Sequence, residues 1–185
     1  MNSFYQYTYN ASRFTNPALT GEKLAIMTVV GLVGECAEFA EVNIEDKEHV
    51  KKELGDICWY LSQSTRVFNL SFGDLMVKAV VEATIPIMCE HTVYRMLINS
   101  CKILEHMKKV WFHDHKINRV FLTEQYEKVF SDLAMIELCL LGEGMYDVLE
   151  TNINKLSERY PHGFTSSDSI NRKDGDDTFK QEMKE

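Results

Sequence analysis

The chain has 185 residues, 45% of them hydrophobic, and carries a formal net charge of −8 at pH 7. This length suits one ordinary domain with its own hydrophobic core. The acidic balance excludes the basic surface by which proteins bind nucleic acids or anionic membranes, and we expect neither partner. An acidic protein can still bind a nucleotide, provided that a metal ion bridges the like charges.

Cysteine usage and the N-terminus indicate a cytoplasmic protein. The five cysteines stand at irregular spacing without a C-x-x-C pair, which is typical of buried free thiols in a reducing compartment. The first residues, "MNSFYQYTYN", lack the basic region and apolar core of a signal peptide. A membrane span needs about 18 uninterrupted apolar residues, and no stretch of the sequence is that long.

Hydrophobic residues recur with the period of a helix along most of the chain. No run alternates as a strand does, so the sequence predicts an all-α protein. Asp46 and the "SFGD" stretch at 71–74 are typical helix N-termini. A polar loop, "FHDHKINR", precedes the sixth helix, and a polar tail covers 165–185. The predicted helices, in chain order, cover about 3–12, 20–43, 46–68, 71–86, 88–110, 123–141 and 144–158.

Two pairs of acidic residues lie on the second and third predicted helices. Glu35 and Glu38, and likewise Glu53 and Asp56, are three positions apart, which places each pair on one helix face. Two helices joined by a short loop pack antiparallel, so we expect the four carboxylates to meet. Protonation or a hard divalent cation would relieve their repulsion, and ligands that are all oxygen favour Mg²⁺ or Mn²⁺.

The alternative is that these carboxylates are ordinary solvated charges on helix surfaces. One E-x-x-E pair would fit that interpretation well. Two such pairs on consecutive apolar helices with few lysine partners fit it poorly, because burying an unpaired charge is costly.

The stretches that contain these two acidic pairs resemble a known protein family. "GLVGECAEFAE" followed by "KKELGDICWYL" resembles the MazG-like, all-α nucleoside triphosphate pyrophosphohydrolase superfamily, whose hallmark is E-x-x-E, a gap and E-x-x-D. Near the C-terminus, "NINKLSERYPHGFTSSDSINR" resembles the segment that closes many phage and bacterial members. The residues that carry this second match are Asn152, Lys155, Arg159, Tyr160, Pro161, Gly163, Phe164, Asn171 and Arg172.

The two blocks lie unusually far apart for this superfamily, and the interval itself resembles a second, degenerate copy. We therefore expect a MazG-like helical bundle built as a tandem pseudo-dimer, with one unit at 1–86, a second at 87–164 and the tail beyond. The first copy has Ala79 and Glu82 where asparagine and lysine are expected. In the second copy the E-x-x-E equivalents fall near Ser100 and Ile103, and only Asp132 is kept from E-x-x-D. A further pairing of pseudo-dimers into a homodimer stays open.

The resemblance implies a nucleotide pyrophosphohydrolase that cleaves a nucleoside triphosphate, or its deoxy form, to the monophosphate and pyrophosphate. Mg²⁺ held by the four carboxylates would bind phosphate oxygens and lower the pKa of a bound water. Glu35 or Glu38 would orient that water. The residues predicted to bind substrate are Asn152, Lys155 and Arg159 for the phosphates, and Trp59 and Tyr60 for the base.

Other interpretations remain for these residues and for the protein. Lys155 and Arg159 also fit surface cations on an amphipathic helix, and Trp59 and Tyr60 also fit core packing. A related phosphoribosyl-ATP hydrolase, or a member specific for dUTP or dCTP, would keep the fold and change the substrate. A helical module that binds a nucleotide or a protein partner without catalysis is the alternative from another class. For a phage-encoded chain, the compartment would be the host cytoplasm.

Overall fold

The computed structural model describes residues 3–85 and 89–171, and all regular secondary structure in that part of the chain is helical. The prediction of an all-α protein is therefore confirmed. The helices are α1 (Phe4–Ser12), α2 (Gly21–Ala40), α3 (Lys47–Val67), α4 (Phe72–Glu82), α5 (Cys89–Phe112), α6 (Arg119–Leu140), α7 (Met145–Arg159) and α8 (Ser166–Ile170).

Most helices begin where the capping residues predict. The Asp46 side chain accepts a hydrogen bond from the backbone N–H of His49 at 3.1 Å and starts α3. Ser71 caps α4 in the same way, accepting from the N–H of Asp74 at 3.1 Å. Both caps satisfy backbone donors that the first helical turn leaves without intrahelical partners.

Several boundaries differ from the prediction. Helix α6 begins four residues earlier than expected, because Asn118 caps it by accepting from the N–H of Phe121 at 3.1 Å. The polar tail contains one short helix, α8, which starts after the capping residue Thr165. Helix α4 ends at Glu82, before the predicted end near Pro86, because the backbone of Ala83 is already extended. The remainder of the tail, from 172 onward, lies outside the described residues.

The bundle is organised around α2, α3, α5 and α6. Helix α2 packs against α3 and α5, and α5 packs against α6. Helix α7 lies on α3, whereas α4 lies mainly on α6, and α1 joins α3, α4 and α7. Their apolar faces form the main hydrophobic core, and no described helix combines the length and apolar composition that crossing a bilayer requires.

A glycine allows α7 to approach α3 closely. A Cβ atom on Gly55 would lie 2.8 Å from the Cβ of Asn152, closer than side chains tolerate. Gly34, which is also in the interior of a helix, has no neighbouring atom within 4 Å of the corresponding position. The contact between α3 and α7 therefore depends on the absence of a side chain at Gly55.

These two glycines make a matched pair for mutation. Gly55→Ala should destabilise the fold by about 1–3 kcal/mol, because the added methyl group pushes α7 away from α3. Gly34→Ala should stabilise it by up to about 1 kcal/mol, because alanine is the better helix former and meets no obstruction. Urea denaturation measures both, and equal stability of the two variants would contradict the close approach.

Candidate metal site

Three carboxylates from α2 and α3 converge. One carboxylate oxygen from each of Glu35, Glu38 and Glu53 lies within 4.8 Å of the other two. Glu53 is only 6% exposed, Glu35 is half-buried and Glu38 is exposed. The i, i+3 spacing in α2 puts two of these groups on one face, and α3 supplies the third.

The packing of α2 on α3 fixes this arrangement. The ring of Tyr60 occupies the space next to Gly31, where a Cβ atom would lie 2.0 Å from a ring carbon. Residues early in α2 therefore face residues late in α3, and Glu35 and Glu38 face Glu53. This order is that of two antiparallel helices, as the sequence predicts.

The crowding of acids changes the ionisation of Glu35. Burial, followed by the nearby negative charges of Asp56, Glu38 and Glu53, raises the pKa of Glu35 from 4.5 to about 9, although Lys155 opposes the shift. At neutral pH and without a cation, Glu35 therefore keeps its proton in the folded protein. A divalent cation at the three carboxylates would favour the ionised form instead.

Asp56, the fourth predicted metal ligand, lies beside the three converging carboxylates and bonds to α7. Lys155 Nζ lies 2.6 Å from one Asp56 oxygen, and Asn152 Nδ2 donates to the other at 3.0 Å. Lys155 is 9% exposed and Asn152 is fully buried. The two sequence blocks, which are almost a hundred residues apart, therefore meet at this carboxylate.

Tyr7 is a further residue of the site that the sequence did not single out. Its hydroxyl donates to Asn152 Oδ1 at 2.8 Å and so turns the amide nitrogen of Asn152 toward Asp56. Burial raises the pKa of Tyr7 well above its ordinary value, and the negative charge of Asp56 raises it further, so the phenol stays a donor. In the sequence, Tyr7 has only the spacing of an apolar core residue on α1.

The other predicted substrate-binding residues lie on the same helices. Trp59 Nε1 donates to the carbonyl oxygen of Ala11 at 3.2 Å, and its ring meets that of Tyr60 edge-on at 4.8 Å. These contacts give both aromatic residues a packing role, and their stacking on a base stays a prediction. Arg159, the last residue of α7, lies one turn beyond Lys155 and is half-buried.

A comparison with protein-family models, with curated proteins and with solved structures finds no match to this chain. Membership of the MazG-like superfamily therefore stays a prediction that depends on the motifs and on the site geometry.

The raised pKa of Glu35 predicts how stability changes with pH. The unfolded chain releases this proton near pH 4.5 and the folded protein near 9. Between these values the folded state binds more protons, so the free energy of unfolding contributed by Glu35 falls as pH rises. In metal-free buffer, wild type should lose stability relative to Glu35→Gln across this window, and the two should be equal below it.

Chemical denaturation in EDTA at a series of pH values measures the effect. Glu41→Gln is the control, because Glu41 is exposed at the end of α2 and its substitution removes the same charge. Parallel curves for wild type and Glu35→Gln would contradict the shifted ionisation.

Proposed function

We propose that the protein is a Mg²⁺-dependent nucleotide pyrophosphohydrolase that cleaves a nucleoside or deoxynucleoside triphosphate to the monophosphate and pyrophosphate. The observation that carries the proposal is that three carboxylates converge beside Asp56, which binds an asparagine and a buried lysine from a distant block. The acidic cluster alone, or the asparagine and the lysine alone, would have an ordinary structural explanation. Together they supply ligands for a hard cation and a positive group for a polyphosphate.

The donor set fits the proposed ion. Glu35, Glu38 and Glu53 offer oxygen ligands close enough together to share one small cation, and oxygen ligands suit Mg²⁺, or Mn²⁺ in its place. When bound, such an ion would neutralise phosphate charge and acidify a water molecule. Its charge would also favour the ionised form of Glu35 against the burial and the neighbouring negative charges that keep this group protonated.

The protein's own groups have separate tasks in the proposed reaction. Lys155 is positioned by Asp56 to bind a phosphate oxygen, and the buried Asn152, oriented by Tyr7, helps to position Asp56, while its predicted contact with the substrate stays a prediction. Of the two predicted catalytic residues, Glu35 is the more buried, and once a bound cation favours its ionised form it would act as the general base. The attacking water would give it a proton, form a bond to the α-phosphorus and displace pyrophosphate.

We also propose that the bundle is the predicted pseudo-dimer, and the packing supports this. Helix α2 packs on α3 as α5 packs on α6, and α7 lies on α3 as α4 lies on α6. Helices α2 and α5 contact each other, and so do α3 and α6. An approximate two-fold axis that exchanges α2 with α5, α3 with α6 and α4 with α7 would produce this set of contacts.

Helix α6 repeats α3 at a spacing of 72 residues. The capping residues Asp46 and Asn118 are 72 positions apart, and both accept from a backbone N–H three residues later. Nine of the eleven buried positions of α3 fall on buried positions of α6 at this spacing. The agreement of both cap and burial supports the proposal that the two helices have a common origin.

The other helix pairs align in the same way. A spacing of 64 places Cys36 of α2 on Ser100 of α5, and these two buried side chains lie close together, as expected for residues near a two-fold axis. A spacing of 73 places the N-cap of α4 on that of α7, and Ala79 on Asn152. The equivalents of Glu35, Glu38, Glu53 and Asp56 then become Asn99, Lys102, Gln125 and Lys128, instead of the predicted Ser100, Ile103 and Asp132.

Pyrophosphate release from a panel of triphosphates and deoxytriphosphates tests the proposed activity. Glu38→Gln should lower kcat/KM by more than about 100-fold, a larger loss than substituting groups behind the ligands usually causes. Glu41→Gln, three residues further along, removes the same charge outside the cluster and should leave the rate within about twofold of wild type. Activity should disappear in EDTA and return with Mg²⁺.

The same panel identifies the preferred base and sugar. If neither wild type nor Glu38→Gln releases pyrophosphate from any triphosphate, and neither binds Mg²⁺, the proposed function is wrong and the non-catalytic binding module takes its place.

A further inference from the structure

A cavity lies at the position that corresponds to the candidate metal site under the proposed two-fold axis. Its volume is about 560 Å³, within the range of small-molecule pockets. Helices α4, α5 and α6 line it, and these are the helices that correspond to α7, α2 and α3 of the candidate metal site. The residues that matter for its chemistry are Lys78, Ala79, Glu82, Asn99, Lys102 and Lys128.

Neutral and basic residues stand in the cavity at the positions equivalent to the acidic residues of the candidate metal site. In the alignment of the two halves, Asn99 takes the place of Glu35, while Lys102 takes the place of Glu38. Lys128 takes the place of Asp56. Two carboxylates thus become ammonium groups, and the other two, Glu35 and Glu53, become the neutral amides of Asn99 and Gln125. A site with this composition has lost the ligands for a divalent cation, because lysine offers no acceptor and repels the ion.

The ion pairs around the cavity leave these two lysines available. Arg95 forms an ion pair with Asp132 through a 2.7 Å bond from its Nε, and Lys78 lies 3.0 Å from Glu127. In the part of the chain that the structure describes, Lys102 donates to Asn99 Oδ1 at 3.3 Å, and no carboxylate lies in ion-pair contact with it or with Lys128.

Acidic neighbours limit what the cavity accepts. Glu82 and Glu124 also lie at its wall, and they would oppose the binding of an anion that contacts only one lysine. A ligand with several phosphate groups can offer separate oxygens to Lys102 and to Lys128. Ammonium groups bind phosphate as point charges without a metal ion.

We propose that this cavity is a second ligand site that binds a polyphosphate, free or as part of a nucleotide, without a divalent cation. The inference depends on the alignment of the two halves and not on the hydrolase activity. The chain would then bind related anions in two chemically opposite ways, with a metal ion at the carboxylates and directly on lysine at the equivalent position.

Calorimetric titration in EDTA tests the inference, with inorganic tripolyphosphate and ATP as separate probes. Wild type and Glu38→Gln should both bind at one metal-independent site. The double variant Lys102→Glu/Lys128→Glu should bind at least about tenfold more weakly, because two attractive contacts become repulsive. Lys116→Glu is the matched control, since it reverses one exposed loop charge outside the cavity and should leave the affinity unchanged.

The milder variant Lys102→Gln/Lys128→Gln covers the case in which the double reversal unfolds the chain, and it should also weaken binding. Tighter binding of ATP than of tripolyphosphate would assign the ligand to nucleotides, whereas equal affinity would assign it to the phosphate chain. Absence of metal-free binding, or equal weakening by Lys116→Glu, would overturn the inference. Pyrophosphate release by the same variants distinguishes the two sites, because the cavity variants should retain the hydrolysis that Glu38→Gln loses.

Discussion

Repulsion between carboxylates in a half-buried groove is the constraint on which this site depends. Glu35, Glu38 and Glu53 share one small volume, with Asp56 next to them. In the absence of a cation, two features reduce this repulsion: Glu35 keeps a proton, and Asp56 bonds to Lys155 and Asn152. A divalent cation bound at these carboxylates would relieve the repulsion, which supports the proposed metal site.

The partners of Asp56 come from α7, which links the packing of the bundle to the site. Gly55 lets α7 approach, and the same turn of α3 then holds Asp56 against Lys155 and Asn152. Tyr7 adds α1 to this arrangement by orienting the asparagine amide. Three helices that are distant in sequence therefore determine where one lysine ammonium lies, and a small shift of α7 would alter the site as much as loss of a side chain.

Local signals in the sequence predicted much of the fold. Caps such as Asp46 and Ser71 act within four residues, and their helices begin where expected. The early start of α6 was missed because Asn118 stands in a polar stretch that also suits a loop. In the site, the E-x-x-E and E-x-x-D spacing indicated which groups share a helix face. It did not indicate that Asp56 would bond to α7, or that Tyr7 would complete the network, because those contacts depend on how distant helices pack.

The central claim is that the three converging carboxylates bind a hard divalent cation. Anomalous diffraction from crystals grown with Mn²⁺ and a triphosphate analogue whose α–β bridge is a methylene group tests it most directly. The account predicts a manganese peak within about 2.5 Å of carboxylate oxygens of Glu35, Glu38 and Glu53, with the analogue's phosphates between the ion and Lys155. A structure in which the analogue is bound and no manganese lies at these residues would contradict it.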